Sequence, residues 1–217
     1  MSIVENLKAI NKKIESAGRD PGSITLVAVS KQQPRALIDE ALLAGQRVFG
    51  ENRVQEAKER WNGLKVQYPD LRLHLIGPLQ TNKAADAVAL FDIIQTLDRE
   101  KLARILMQEM KKQNRNIPCL IQINTGGEEQ KSGIAPEDLP QFLKFCVQDC
   151  GLEITGLMCI PPVDENPEKH FSLLKKLANE NNLKELSMGM SNDFIRAIAL
   201  GATYIRIGTG VFGARSG

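Results

Sequence analysis

The feature that most constrains the fold is a regular alternation of short apolar segments with longer amphipathic ones. The apolar segments are rich in β-branched residues and predict strands buried on both faces, as in parallel sheets. The amphipathic segments carry apolar residues at helical spacing, and one of them separates each strand from the next. The predicted strands are residues 24–30, 47–50, 71–76, 92–95, 117–124, 152–158 with a break at Gly156, 185–187 and 203–207.

Eight strands alternating with helices predict an α/β fold, a (β/α)8 TIM barrel. Because alternation alone does not prove closure, a doubly wound open sheet is the alternative, and the count of eight favours the barrel. No shift in composition divides the chain, so we expect one domain over residues 1–217. The predicted helices are residues 3–17, 36–44, 53–68, 82–90, 98–113 with Asp98 as N-cap, 136–148, 167–181 and 192–200.

Composition excludes several classes of partner. The net charge is +2 and no basic cluster stands out, which argues against nucleic acid or an anionic membrane surface. The first residues do not resemble a signal peptide, and no apolar run approaches the roughly 20 residues of a membrane span. The four cysteines form no C-x-x-C pair, so we do not expect a zinc site. Cys119 and Cys159 lie in apolar runs and predict reduced core thiols, which favours the cytoplasm.

Lys31 follows the first predicted strand directly. In a barrel of this kind the chemistry lies where strands end and helices begin. An amine in such a low-dielectric mouth favours its neutral form, a nucleophile suited to a Schiff base with an aldehyde. Taken alone, a lysine that extends its amine to water is the more common arrangement. Other polar or sulfur-containing side chains just past strands are Asn52, His74, Gln80, Asn82, Asn124, Met158, Ser191 and Thr209.

Two segments after the last strands predict a phosphate site. Ser191 is the expected N-cap of the helix over 192–200. After the final strand, Gly208 allows close approach of an anion, Thr209 offers a hydroxyl and an N–H group, and Arg206 supplies positive charge. Taken alone, each segment is better explained by a structural role, a helix cap at Ser191 or a turn at the glycines. Together, in the loops where barrels often bind phosphate and opposite Lys31, they favour an anion site.

A G-x-G-x-x-G pattern at 208–213 does not indicate a dinucleotide fold. That fold needs a further helix, a strand and an acidic residue about 20 positions later. The sequence has no such continuation after residue 213.

The motifs LVAVSK (26–31), FGENRVQEA (49–57), HLIGPLQTNK (74–83), GLMCIPP (156–162), LSMGMSNDFIRAI (186–198) and IRIGTGVFG (205–213) resemble those of the pyridoxal phosphate homeostasis proteins. These are single-domain relatives of the alanine racemase N-terminal barrel, the fold-type III pyridoxal phosphate proteins. The resemblance implies that Lys31 holds pyridoxal 5′-phosphate as a Schiff base, and that Ser191, Arg206, Gly208 and Thr209 hold its phosphate. It also implies that Asn52 and His74 face the cofactor ring, with Met190 packed nearby. A hydrogen-bonded structural role for His74 is an equal alternative.

Two functions compete for such a site. A racemase needs an acid or base on each face of the cofactor, and the resemblance implies that alanine racemase takes one of them from a tyrosine of a second domain. Neither Tyr68 nor Tyr204 is expected to serve that face, so we favour a non-catalytic protein of vitamin B6 homeostasis. Apo forms of pyridoxal phosphate enzymes would be its recipients, and nothing in the sequence demands a dimer. A Schiff-base aldolase acting on a sugar phosphate is the third alternative.

Overall fold

The computed structural model describes residues 2–61, 63–128 and 130–214 and contains a closed barrel of eight parallel strands. The strands follow one another around the barrel in sequence order. Closure is made by the first and last strands, which pair from Thr25 with Tyr204 to Ala28 with Ile207. This pairing confirms the barrel and excludes the open sheet. The strands are β1 Thr25–Val29, β2 Val48–Glu51, β3 Arg72–Leu75, β4 Ile93–Leu97, β5 Cys119–Ile123, β6 Ile154–Cys159, β7 Glu185–Ser187 and β8 Tyr204–Ile207.

Helices cover the outside of the barrel, and no described helix is long and apolar enough to cross a membrane. The predicted helix over 53–68 is two helices, because Gly63 adopts a left-handed φ of 85° between them. Asp98 is not a helix cap: the N-cap position is Arg99, whose guanidinium pairs with the Asp98 carboxylate. The α-helices are α1 Ile3–Ser16, α2 Arg35–Leu43, α3 Val54–Trp61, α4 Leu64–Gln67, α5 Ala84–Leu90, α6 Glu100–Gln113, α7 Leu139–Lys144, α8 Pro167–Glu180, α9 Phe194–Ala199 and α10 Thr209–Phe212.

Side chains on each strand alternate between the barrel interior and the layer under the helices. The outward side chains form the main apolar core, where, for example, the ring of Phe49 lies 4.7 Å from that of Trp61. A separate apolar cluster of Val27, Leu120, Met158 and Tyr204 fills part of the interior. The remaining interior positions are largely polar, and they include residues of the candidate site.

Gly156 does not break β6, which runs without interruption from Ile154 to Cys159. A Cβ at this position would lie 2.1 Å from the carbonyl oxygen of Glu185 on β7. The glycine therefore permits a close approach of β6 and β7. The register between β5 and β6 also shifts next to it, between Cys119 and Leu120.

Candidate functional site

A cavity of about 530 Å³ opens at the carboxyl ends of the strands, between the loops that follow β1, β6, β7 and β8. It brings together six of the residues singled out in the sequence: Lys31, Met190, Ser191, Arg206, Gly208 and Thr209. The opposite wall comes from the loop after β6, with Pro161, Pro162, Val163 and Glu165. The predicted amine and the predicted anion site thus face one space.

Lys31 lies two residues beyond β1, in a turn whose next residue, Gln32, has a left-handed φ of 58°. The backbone just before it is fixed by a buried carboxylate. Ser30 Oγ donates a hydrogen bond of 2.7 Å to Oε1 of Glu51, a side chain with no solvent exposure. The same oxygen accepts from Arg60 Nη1 and Trp61 Nε1, both at 2.9 Å. Glu51 therefore ties the end of β1 to α3 and sets where Lys31 leaves the sheet.

Ser191 and Thr209 join the two loops that the sequence assigns to an anion. Thr209 Oγ1 donates to Ser191 Oγ at 3.0 Å, and the Gly210 N–H donates to the same oxygen at 3.4 Å. The prediction that Ser191 caps the following helix is wrong. The N-cap of α9 is Asp193, and its carboxylate accepts the Met190 N–H at 2.6 Å. Ser191 is thereby left to connect the loop after β7 with α10.

Arg206 places a cation in the wall of the cavity with only 3% of its surface exposed. Its Nη1 donates to Ser187 Oγ at 2.7 Å and its Nη2 to the Cys159 carbonyl at 2.8 Å. Among the residues that the structure describes, no carboxylate forms an ion pair with it. Burial lowers the pKa of Arg206, because desolvation disfavours the charged form. The carboxylate of Asp193, which lines the same cavity, opposes this effect only in part, so the wall around Arg206 favours an anionic ligand.

His74 and Asn52 do not line this cavity. His74 lies within the barrel, where its Nδ1 is 2.9 Å from Gln95 Nε2 and its ring stands edge-on to Tyr204. Burial lowers the pKa of His74 to about 4, against a smaller opposing effect of Asp92. Asn52 lines a neighbouring cavity of about 290 Å³ beside Gly77. Contact of either residue with a cofactor ring stays a prediction.

Sequence reasoning did not identify Gln33, Glu165, Gln95 or Ser187 as parts of the site. Gln33 and Glu165 line the cavity itself. Gln95 and Ser187 are buried polar residues at inward positions of β4 and β7, connected to Arg206 and His74 by hydrogen bonds. In the sequence, Gln95 and Ser187 are visible as polar residues within otherwise apolar predicted strands. Reading that signal requires knowing which face of each strand points inward.

Comparison with known proteins identifies the family. The model of the alanine racemase N-terminal domain matches residues 2–216. A Pseudomonas aeruginosa pyridoxal phosphate homeostasis protein is 41% identical over 99% of this chain and 96% of its own length. PipY of Synechococcus elongatus is similar in structure. Without pyridoxal phosphate it matches with a TM-score of 0.90 at 39% identity, covering 98% of this chain and 100% of PipY. With pyridoxal phosphate bound it matches with a TM-score of 0.85 at 38% identity and the same coverage.

These matches extend over nearly the whole chain and include the loops that carry the cavity. The chain therefore belongs to the alanine racemase N-terminal domain family and, within it, to the pyridoxal phosphate homeostasis proteins.

Proposed function

We propose that this protein binds pyridoxal 5′-phosphate through a Schiff base to Lys31 and acts in vitamin B6 homeostasis without catalytic turnover. Its relatives are named pyridoxal phosphate homeostasis proteins, and the structure of PipY is known with pyridoxal phosphate bound. One observation carries the proposal: a buried arginine that forms no salt bridge with any carboxylate in the described part of the chain shares a cavity with a strand-end lysine. An aldehyde that also bears a phosphate satisfies both groups.

The residues of the cavity fit this cofactor. The volume of about 530 Å³ lies within the range of roughly 300–1,000 Å³ that is typical of ligand pockets. Ser191, Gly208 and Thr209 offer hydroxyl and backbone N–H donors, and Arg206 offers the buried positive charge. Lys31 lines the same space and supplies the amine.

The surroundings of the cavity support a carrier over a racemase. Bound pyridoxal phosphate supplies an electron sink for carbanions, and such chemistry benefits from exclusion of water. Here the rim is open: Val163 is 93% exposed and Met190 is 40% exposed. Neither tyrosine lines the cavity, because Tyr204 donates its hydroxyl to Glu185 inside the barrel and Tyr68 packs against Arg47. An open site favours exchange of the cofactor.

The proposal also covers the oligomeric state of the protein, its recipients and its cellular compartment. Residues 1–217 would act as one domain and as a monomer, delivering the cofactor to apo enzymes that use it. All four cysteines are buried free thiols, which supports a reducing cytoplasmic compartment.

Borohydride trapping tests the proposal. Protein loaded with pyridoxal phosphate should show a visible absorption band that borohydride removes, and peptide mass mapping should place the reduced adduct on Lys31. Lys31→Ala should remove the band, whereas Lys101→Ala, at an exposed lysine of α6, should keep it. An adduct on a different lysine, or no uptake at all, would overturn the binding proposal. Formation of D-alanine from L-alanine in large excess over the protein would overturn the absence of turnover.

A further inference from the structure

A line of four buried polar side chains crosses the barrel interior and ends at the cavity. Arg206 on β8 donates to Ser187 on β7, and Ser187 Oγ donates to Gln95 Oε1 on β4 at 2.6 Å. Gln95 Nε2 then lies 2.9 Å from His74 Nδ1 on β3. We call these four residues the interior relay. It connects two neighbouring strands on one side of the barrel to two on the other.

The direction of every hydrogen bond in the relay is coupled to the others. Because burial lowers the pKa of His74 to about 4, its imidazole is neutral at physiological pH and one ring nitrogen accepts. Nδ1 is that acceptor when the Gln95 amide nitrogen faces it, and the proton is then on Nε2. The Gln95 oxygen is thereby turned toward Ser187, whose hydroxyl donates to it and accepts from Arg206. Reversing the amide would require the other tautomer of His74.

The relay orients a cation without neutralising it. A carboxylate in a salt bridge with Arg206 would orient the guanidinium equally well, but it would compensate more of the positive charge than Asp193 does without such a bridge. Ser187 and the Cys159 carbonyl are neutral acceptors, and Gln95 fixes Ser187 from behind. The cation is thus held in place and keeps its charge for the cavity.

We propose that Gln95 and Ser187 are positioning residues of the cofactor site: they hold the guanidinium of Arg206 against the cavity, with neutral His74 fixing the polarity of the relay. This role rests on the proposed function, since the ligand that the Arg206 guanidinium faces is the proposed cofactor. It gives a function to two side chains that do not line the cavity.

Binding of pyridoxal phosphate to relay variants provides the first measurement. Ser187→Ala should weaken binding about tenfold, the loss typical of one hydrogen bond to a charged group. Gln95→Met should weaken it in the same direction, because it removes the bond that fixes Ser187. The double variant should lose little more than either single one, because both changes interrupt one chain of bonds. Gln46→Met is the matched control: its amide donates to the carbonyls of Leu26 and Val48 at the other end of the barrel. Its affinity should equal that of the wild type.

Histidine NMR provides a readout that a purely structural role would not change. The chain has two histidines, His74 and His170, so ¹⁵N labelling with a His170→Gln variant assigns both. In the wild type, His74 should be neutral with its proton on Nε2. In Gln95→Glu, which replaces the amide donor with an acceptor, the proton should move to Nδ1. Thermal unfolding of each variant separates loss of affinity from loss of fold.

Three results would overturn the proposal: wild-type affinity in folded Gln95→Met and Ser187→Ala, fully additive losses in the double variant, or a wild-type His74 with its proton on Nδ1. Wild-type protein that takes up no pyridoxal phosphate would overturn the proposed function, and this role with it. Uptake by the wild type with unchanged affinity in the variants would overturn the role alone.

Discussion

Replacing Glu51 with leucine should destabilise the protein and loosen the turn that carries Lys31. The carboxylate is completely buried, and one of its oxygens accepts three hydrogen bonds, from Ser30, Arg60 and Trp61. Leucine removes that acceptor and leaves the Trp61 N–H, on a side chain with no exposure, without its partner. Arg60 is 16% exposed and can turn only partly toward water.

The expected magnitude follows from the buried ion pair. Removing one partner of such a pair typically costs about 3–5 kcal/mol, because the other charge is left uncompensated. For a chain of this length each kcal/mol lowers the melting temperature by about 2–4 °C, so Glu51→Leu should lower it by roughly 10 °C. Glu51→Gln should lose less, since the amide oxygen still accepts, and its nitrogen replaces an oxygen that has no hydrogen-bond partner within the described residues.

The assay is thermal and urea unfolding of Glu51→Leu, Arg60→Met and the double variant, with pyridoxal phosphate uptake measured on the folded proteins. The double variant should recover much of the loss, because two apolar side chains replace the whole pair. Uptake should fall in Glu51→Leu, since Ser30 loses the bond that fixes the residue before Lys31. Additive losses in the double variant would refute the coupling, and full uptake by Glu51→Leu would refute the link to Lys31.

Three further predictions follow from other buried groups. Gly156→Ala should cost about 2 kcal/mol or more in urea unfolding, since its Cβ would meet the Glu185 carbonyl oxygen at 2.1 Å; a smaller loss would mean that β7 shifts freely. His74 has its pKa lowered from 6.5 to about 4, so the unfolded chain binds the proton more readily, and stability should fall by about 3 kcal/mol as pH drops through that interval. His74→Gln should abolish this dependence. Burial raises the pKa of the Cys146 and Cys159 thiols to about 12, so a thiol reagent at neutral pH should modify them only after unfolding.

The barrel could be predicted from the sequence because its strands and helices have different periods. Each strand is a short apolar run and each helix repeats every three to four residues, so the order of the elements follows from local patterns. The sequence predictions were wrong where tertiary contacts determine the local structure. Gly156 suggests a break by propensity, but the approach of β7 keeps it within β6. Ser191 is a good helix cap by residue type. Its hydroxyl oxygen instead accepts hydrogen bonds from Thr209 and Gly210, nearly 20 residues later in the chain.

The candidate site was predictable to the extent that it follows strand ends. Lys31, Ser191, Gly208 and Thr209 each come just after a strand, and parallel strands bring such residues to one face. Glu165 lies farther along its loop, where no periodicity constrains the position of a side chain. The partners of Arg206 could not be predicted for another reason: Ser187 and Cys159 are distant from it in sequence, and only the pairing of β6, β7 and β8 brings them to it.

Closure of the barrel explains why the interior can remain polar at all. An unpartnered polar side chain in an apolar interior is costly, and four strands must each place one at matching height to satisfy Arg206, Ser187, Gln95 and His74 together. The same closure brings the loops after β1 and β8 side by side, because β1 pairs with β8. A lysine that follows the first strand and an anion site built on the last one can therefore share a cavity only in the closed form. The pairing of β1 with β8 is thus the structural condition for both the interior relay and the proposed cofactor site.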